Sequence, residues 1–188
     1  MKVLVIGGAG YLGTPLTQLF VSNRNPVICV DKLDHSNYDT IKEKFELSKE
    51  FTKQFTDGKG EFIFVEDNIK NIDDYLPNFT GIERILYMAS PRLLELDKAD
   101  TISQELSTLR WVIEKVKNEC DPNFLFYFFS SCSVYGRQEN FTNPFKEEAN
   151  TQITTRYSEL KIKSEQLLKK EDKNRFKIFR LSTLYGLS

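Results

Sequence analysis

Tyr157 and Lys161 stand four positions apart at the start of a helix-like stretch, YSELKIKSEQLLKK, so both side chains fall on one helical face. A phenol beside an ammonium is an acid/base pair, because the cation favours the phenolate that takes a proton from a hydroxyl. An ordinary Tyr loses its proton near pH 10, so such work near neutrality needs a pKa lowered by about three, roughly 4 kcal/mol. The same spacing occurs at Tyr38 and Lys42, and this many Tyr and Lys give about one match by chance. Context separates the two pairs. Tyr38 closely follows the second apolar run, whereas Tyr157 follows the fifth and opens a helix. Ser131, in FFSSCSVYG at the end of that fifth run, is the candidate to hydrogen-bond a reacting oxygen. Ser130 and Ser133 read as turn formers or as partners of the backbone. Cys132 has no His or nearby cation in sequence to activate it and reads as a structural thiol. His35 is the single His, and the three Cys are widely spaced. A His-based triad, a zinc site and a disulfide framework are therefore all disfavoured.

A second group of residues suits an anion. GGAGYLG places Gly7, Gly10 and Gly13 between the apolar run VLVI and the helix-like TPLTQLFVSN. Such a turn combines a sharp bend, a backbone with no Cβ to keep a pyrophosphate away, and a helix N-terminus with free N–H groups. Pro15 is tolerated there because it falls in the first helical turn. The competing reading is a Gly-rich turn with a purely structural role, and the strand-to-helix context argues against it. Asp31 ends the second run, VICVD, eighteen positions after Gly13. A carboxylate at that point can accept hydrogen bonds from both ribose hydroxyls and repels a 2′-phosphate, which favours NAD over NADP. The adjacent Lys32 weakens that preference, and an Asp that merely ends a strand is the plain alternative. Asp67 and Asn68, after FIFVE, are placed to reach the adenine edge. Tyr11 and Leu12 in the turn, Lys32, Met88 and Ala89 after the fourth run, and Tyr157 with Lys161 complete the candidate cofactor contacts.

These residues need a scaffold that gathers strand ends at one edge. Apolar runs of strand length recur at 3–6, 27–30, 62–65, 85–88, 124–129 and 176–179. Continuous rather than alternating runs indicate strands buried on both faces, and the helical stretches between them indicate a doubly wound parallel sheet of the Rossmann type in an α/β domain. Helices are predicted over 101–118 and about 155–171. On the first, Ile102, Leu106, Leu109, Ile113 and Val116 form the inward stripe and Trp111 lies on the opposite face, exposed to solvent in a monomer. On the second, Leu160 and Leu167 point inward and Ile162 points elsewhere. Spare apolar residues on both helices predict a homodimer with Trp111 at its interface. Residues 56–60 and 136–150 read as loops.

The 188 residues fit one domain, 1–188, and 40% hydrophobic content supplies a core. With 26 basic and 27 acidic side chains scattered along the chain, no nucleic-acid partner is indicated. No run is long enough to span a membrane, and MKVLVIGG does not read as a signal peptide, so a cytoplasmic location is expected.

Taken in order, GGAGYLG, Asp31, Asp67, SSCSVYG, YSELK and RLSTLYG resemble the extended short-chain dehydrogenases/reductases, the NAD-dependent nucleotide-sugar epimerase and dehydratase group. The resemblance spans nearly the whole chain. It implies NAD held on the sheet, catalysis by Ser131, Tyr157 and Lys161, a nucleotide sugar as substrate, and dimerisation through the two helices as a four-helix bundle. Three departures qualify it. Glu105 stands where members commonly carry Asn in the helix after the fourth strand. Cys132 and Ser133 replace the Asp-Glu pair of the dehydratases, which disfavours dehydration. Thr183 replaces the Asn of the epimerases' RYFN, so that substrate contact is not carried over. Members also continue past the equivalent of Ser188 into a substrate lobe, so that lobe is expected to be largely absent from this chain. An epimerase is the leading expectation, and a catalytically silent dinucleotide-binding or sensor module is the alternative.

Overall fold

Each continuous apolar run forms a strand. The computed structural model describes residues 1–33, 39, 42, 43, 45, 46, 50, 61–76, 78–137 and 145–185; Tyr38, His35 and the loop predicted at 56–60 lie outside them. The strands β1 (Lys2–Ile6), β2 (Val27–Asp31), β3 (Phe62–Glu66), β4 (Ile82–Tyr87), β5 (Leu125–Ser131) and β6 (Phe176–Leu181) pair in parallel throughout. Their order is β3-β2-β1-β4-β5-β6, a Rossmann-type sheet. The order reverses between β1 and β4, and in such sheets the crevice beyond the carboxyl ends at that point is where ligands bind.

Side chains alternate between two apolar layers, as the pleat requires. Val3, Val5, Val27 and Cys29 face the layer that includes Val21 of α1 (Gly13–Ser22). Leu4, Ile6, Ile28, Val30, Ile85, Phe126 and Phe128 face the other, beneath Leu109, Val112, Ile113 and Val116 of a long helix. Full burial of each such side chain contributes about 1.5–3 kcal/mol. After the short α2 (Leu93–Leu96), that long helix is α3 (Thr101–Glu119), and α4 (Arg156–Leu168) packs beside it. Two 3₁₀ helices, Ile69–Asp74 and Cys132–Tyr135, follow the ends of β3 and β5. No helix among the described residues is long and apolar enough to cross a membrane.

Three expectations need correction. The last helix ends at Leu168, short of 171, where Asp172 accepts a hydrogen bond from the Asn174 N–H at 2.9 Å and starts a turn. Trp111 is half-buried against the main core, because the 3₁₀ segment Ile69–Asp74 runs alongside α3. Asp73 of that segment pairs with Lys115 at 2.6 Å, and the Lys115 ammonium lies 5.5 Å from the Trp111 ring centre. Ile162 is only 6% exposed, since α4 contacts α3, β5, β6 and the second 3₁₀ helix together. The spare outer apolar pair is therefore reduced to one half-covered Trp.

Candidate functional site

The four glycines of the turn have different tasks, Gly8 being the one whose Cβ would run into the Cys29 side chain. Gly7 has φ +80° and sits so close to the end of β4 that a Cβ would run into the backbone of Ala89. A Cβ on Gly13 would meet the Gly7 carbonyl oxygen and would lie 2.7 Å from the Gly8 Cα, so this position serves the packing of helix against turn. Gly10 is under no such constraint. Its Cβ would find no atom nearer than the Gly7 carbonyl oxygen at 3.7 Å, and Gly10 lines an open cleft along the carboxyl edge of the sheet. At Gly10 the missing side chain leaves the cleft floor bare. Beside it α1 begins at Gly13 with no side-chain cap and no acidic residue in its first turn, which leaves its N-terminal positive end open to an anion.

Gly7, Gly10, Asp31, Lys32, Asp67, Asn68, Met88 and Ala89 all line this cleft; Tyr11, Leu12, Gly13, Tyr157 and Lys161 do not. Asp31 is 8% exposed, and its carboxylate accepts hydrogen bonds from the Ala9 N–H at 2.9 Å and the Leu33 N–H at 3.0 Å. It thus ties the glycine turn to the end of β2, a task the sequence reading did not assign to it. Asp67 accepts from the Asn68 N–H at 2.6 Å, from Asn71 at 2.9 Å and from the Tyr75 hydroxyl at 3.1 Å. Those bonds, the Asn68 N–H foremost, hold its carboxyl below the usual range. Asn68 caps the 3₁₀ helix through the Lys70 N–H. No cluster of His, Cys, Asp or Glu suited to a metal ion occurs among the described residues.

Outside this cleft, Thr155 and Ser158 form a reciprocal cap that starts α4 at Arg156. Tyr157 is thereby fixed in the first turn and Lys161 one turn later. Lys161 is 3% exposed; its ammonium donates to the Phe129 carbonyl at 3.0 Å and lies 5.5 Å from the Tyr157 ring centre. Burial pushes Lys161 down to about 8 against the pull of Glu105 and Glu165. Ser131, at the end of β5, accepts from the Ser133 N–H at 3.1 Å, and its hydroxyl stands close enough to Tyr157 to favour the phenolate. Burial nevertheless raises the Tyr157 phenol, opposed by the Ser131 hydroxyl, so the lowering expected from Lys161 is not met in this arrangement. The ammonium gives a hydrogen bond to a main-chain carbonyl and faces the Tyr157 ring at a distance.

Ser130 is not a turn former: 3% exposed, it donates to Glu165 at 2.7 Å. Ser133 keeps a buried hydroxyl with no hydrogen-bond partner among the described residues. Glu165, 1% exposed, also receives a two-pronged contact from Arg180 of β6, at 2.9 and 2.7 Å. Arg180 in turn donates to the Tyr135 hydroxyl and the Glu147 carbonyl, each at 2.8 Å. This network braces the end of β5 against α4 and β6. The sequence reading missed it, although a lone Arg in the apolar strand FKIFRL and a Glu four positions after Lys161 were visible signals.

A profile of the NAD dependent epimerase/dehydratase family matches residues 3–188. The bifunctional protein GAL10 of Pachysolen tannophilus is 29% identical over 177 residues, which cover 89% of this chain and 24% of that protein. The UDP-glucuronic acid 4-epimerase of Bacillus cereus, solved with NAD, superposes with a TM-score of 0.74 at 22% identity over 99% of this chain and 57% of its own. The dTDP-glucose 4,6-dehydratase of Bacillus anthracis, also solved with NAD, gives 0.67 at 20% identity over 99% and 56%. The chain thus spans a quarter of the curated relative and somewhat over half of these two structures. With the family profile covering almost every residue and the sheet order and glycine turn in agreement, the chain belongs to the NAD-dependent epimerase/dehydratase family.

Proposed function

We propose that this chain binds NAD and carries the acid/base residues of an enzyme that oxidises and re-reduces a sugar held on a nucleotide, as in epimerisation. The observation that carries the reading is the meeting of Ser131, Tyr157 and Lys161 at the same sheet edge as the cleft floored by Gly10. The fit to a dinucleotide rests on that bare floor, on the uncapped start of α1, and on Asp31, Asp67 and Asn68 at the adenosine end. Related proteins support the substrate class: the Bacillus cereus enzyme was also solved with UDP-glucuronic acid.

In this reading the nicotinamide ring, when bound, supplies the acceptor for a hydride and, in its oxidised form, a positive charge. Tyr157, as phenolate, takes the proton of the sugar hydroxyl while the carbon bearing that hydroxyl gives up its hydrogen as hydride, and Ser131 donates a hydrogen bond to the oxygen as it becomes a carbonyl. The reverse step returns the proton from Tyr157. Lys161, itself anchored on the Phe129 carbonyl, holds positive charge 5.5 Å from the Tyr157 ring centre. The homodimer through α3 and α4 belongs to this proposal, with Trp111 as its remaining apolar contact. The competing silent-module reading draws support from Glu105 and from the raised Tyr157 phenol.

The test joins calorimetric titration of NAD and NADH with turnover assays on UDP- and dTDP-linked sugars. Tyr157→Phe is expected to cut turnover by about 10²–10⁴-fold while NAD binding is largely kept, and Tyr38→Phe to change neither. Undiminished turnover in Tyr157→Phe overturns the acid/base assignment. Tight NAD binding with no turnover on any sugar favours the silent module.

A further inference from the structure

Glu105 stands in the wall of the cofactor cleft, where a carboxylate has a chemical consequence that the proton chemistry above does not use. The adenosine-side candidates, Asp31, Lys32, Asp67 and Asn68, follow the ends of β2 and β3. A dinucleotide laid across the switch point between β1 and β4 therefore places its second half over the ends of β4 and β5. Glu105 lines that half together with Tyr87, Ala89 and Ser90. It also lines a small recess that continues from the cleft to Lys161, walled by Ala89, Phe128 and Ser164. Glu105 thus borders both the cleft and the recess that reaches the buried ammonium.

The charged and titratable groups around Glu105 come from every neighbouring element. They are Lys161 of α4, Lys32 after β2, Lys70 of the 3₁₀ helix, Glu95 of α2 and Tyr87 of β4. Burial raises the Glu105 carboxyl, and the three lysines pull it back down. The two oxidation states of the cofactor differ in one respect that such a group reads directly. The oxidised nicotinamide ring is a cation and the reduced ring is neutral, whereas the phosphates, riboses and adenine are the same in both. A carboxylate in a partly desolvated wall attracts the cation and has no comparable interaction with the neutral ring.

We propose that Glu105 is a specificity-determining residue that makes this site hold NAD more tightly than NADH. The inference rests on the dinucleotide reading above. It concerns only the difference between the two oxidation states, so a mutation that merely loosens α3 or the cleft weakens both cofactors together and leaves their ratio unchanged. Gln keeps the volume of the side chain and removes the charge; Asn is a second, shorter neutral variant; Asp restores the charge on a shorter stem.

The experiment measures dissociation constants of NAD and NADH by calorimetry at one pH for the wild type, Glu105→Gln, Glu105→Asn and Glu105→Asp. Both neutral variants are expected to shift the NAD to NADH affinity ratio about tenfold toward NADH, with Asp returning most of the wild-type ratio. An unchanged ratio in Glu105→Gln or Glu105→Asn, with both cofactors still bound, overturns this inference and leaves the dinucleotide site standing. A wild type that binds neither cofactor overturns the dinucleotide reading itself and this inference with it.

Discussion

Replacing Arg180 by Met exposes how much of the sheet edge depends on a single buried charge pair. The wild-type guanidinium makes two charge-assisted bonds to Glu165, and the Glu165 side chain is almost fully buried. Met fills a similar length but leaves a carboxylate with only the Ser130 hydroxyl at 2.7 Å and a longer ion pair to Lys169 at 3.5 Å. Stripping one partner from a buried pair costs about 3–5 kcal/mol, and the surviving Lys169 contact argues for the lower end, near 3 kcal/mol. The pH dependence follows from the direction of the Glu165 shift. Burial would raise this carboxyl, yet the Arg180 and Ser130 bonds hold it below its ordinary range. A depressed folded pKa contributes stability that is fully present above the unfolded value, about 4.3, and is lost as pH falls through the folded one. Without Arg180 the burial effect is left to raise the carboxyl, so the variant gains relative stability on acidification. The gap between wild type and Arg180→Met is therefore largest above the variant's raised carboxyl pKa and narrows as pH falls from there toward the wild type's depressed one. Urea unfolding followed by circular dichroism from pH 4 to 8 measures that gap, and the double variant Glu165→Leu/Arg180→Met is expected to recover part of the loss. A gap under about 1 kcal/mol near neutrality, or one that does not change with pH, refutes the reasoning.

The glycines separate by experiment as they do by geometry. Gly13→Ala is expected to lower thermal stability markedly, since its Cβ meets turn backbone, whereas Gly10→Ala keeps the melting temperature and weakens NAD binding. Equal effects of both on stability would remove the argument for a bare cleft floor. Asp31→Ala is expected to lose the preference for NAD over NADP and also about 1–3 kcal/mol of stability, because the Ala9 and Leu33 amides lose their acceptor; cofactor titrations paired with melting curves check both halves. Trp111→Glu tests assembly by sedimentation velocity, with a dimeric wild type and a monomeric variant expected; a monomeric wild type would remove α3 as an interface.

Much of this protein was legible in its residues because the signals were local. A continuous apolar run such as VLVI or VICV says that both faces of a strand are covered, and the glycine turn between a strand and a helix announces a phosphate-sized opening. Tyr157 and Lys161 could be paired because helical spacing places i and i+4 together. Other features depended on partners far away in the chain. That Gly10 alone faces open space while Gly7 and Gly13 serve packing depends on where Ala89 and Gly8 come to lie. Ser130 looked like a turn residue until the sheet brought Glu165, 35 positions later, within 2.7 Å. Trp111 and Ile162 looked spare on a helical wheel, which shows one helix and not the 3₁₀ segment or the second helix that covers them. The acidity of Tyr157 could not be read from its neighbours in sequence, because it is set by burial, which raises the phenol, and by the turning of the Lys161 ammonium to the Phe129 carbonyl, both properties of the packed site.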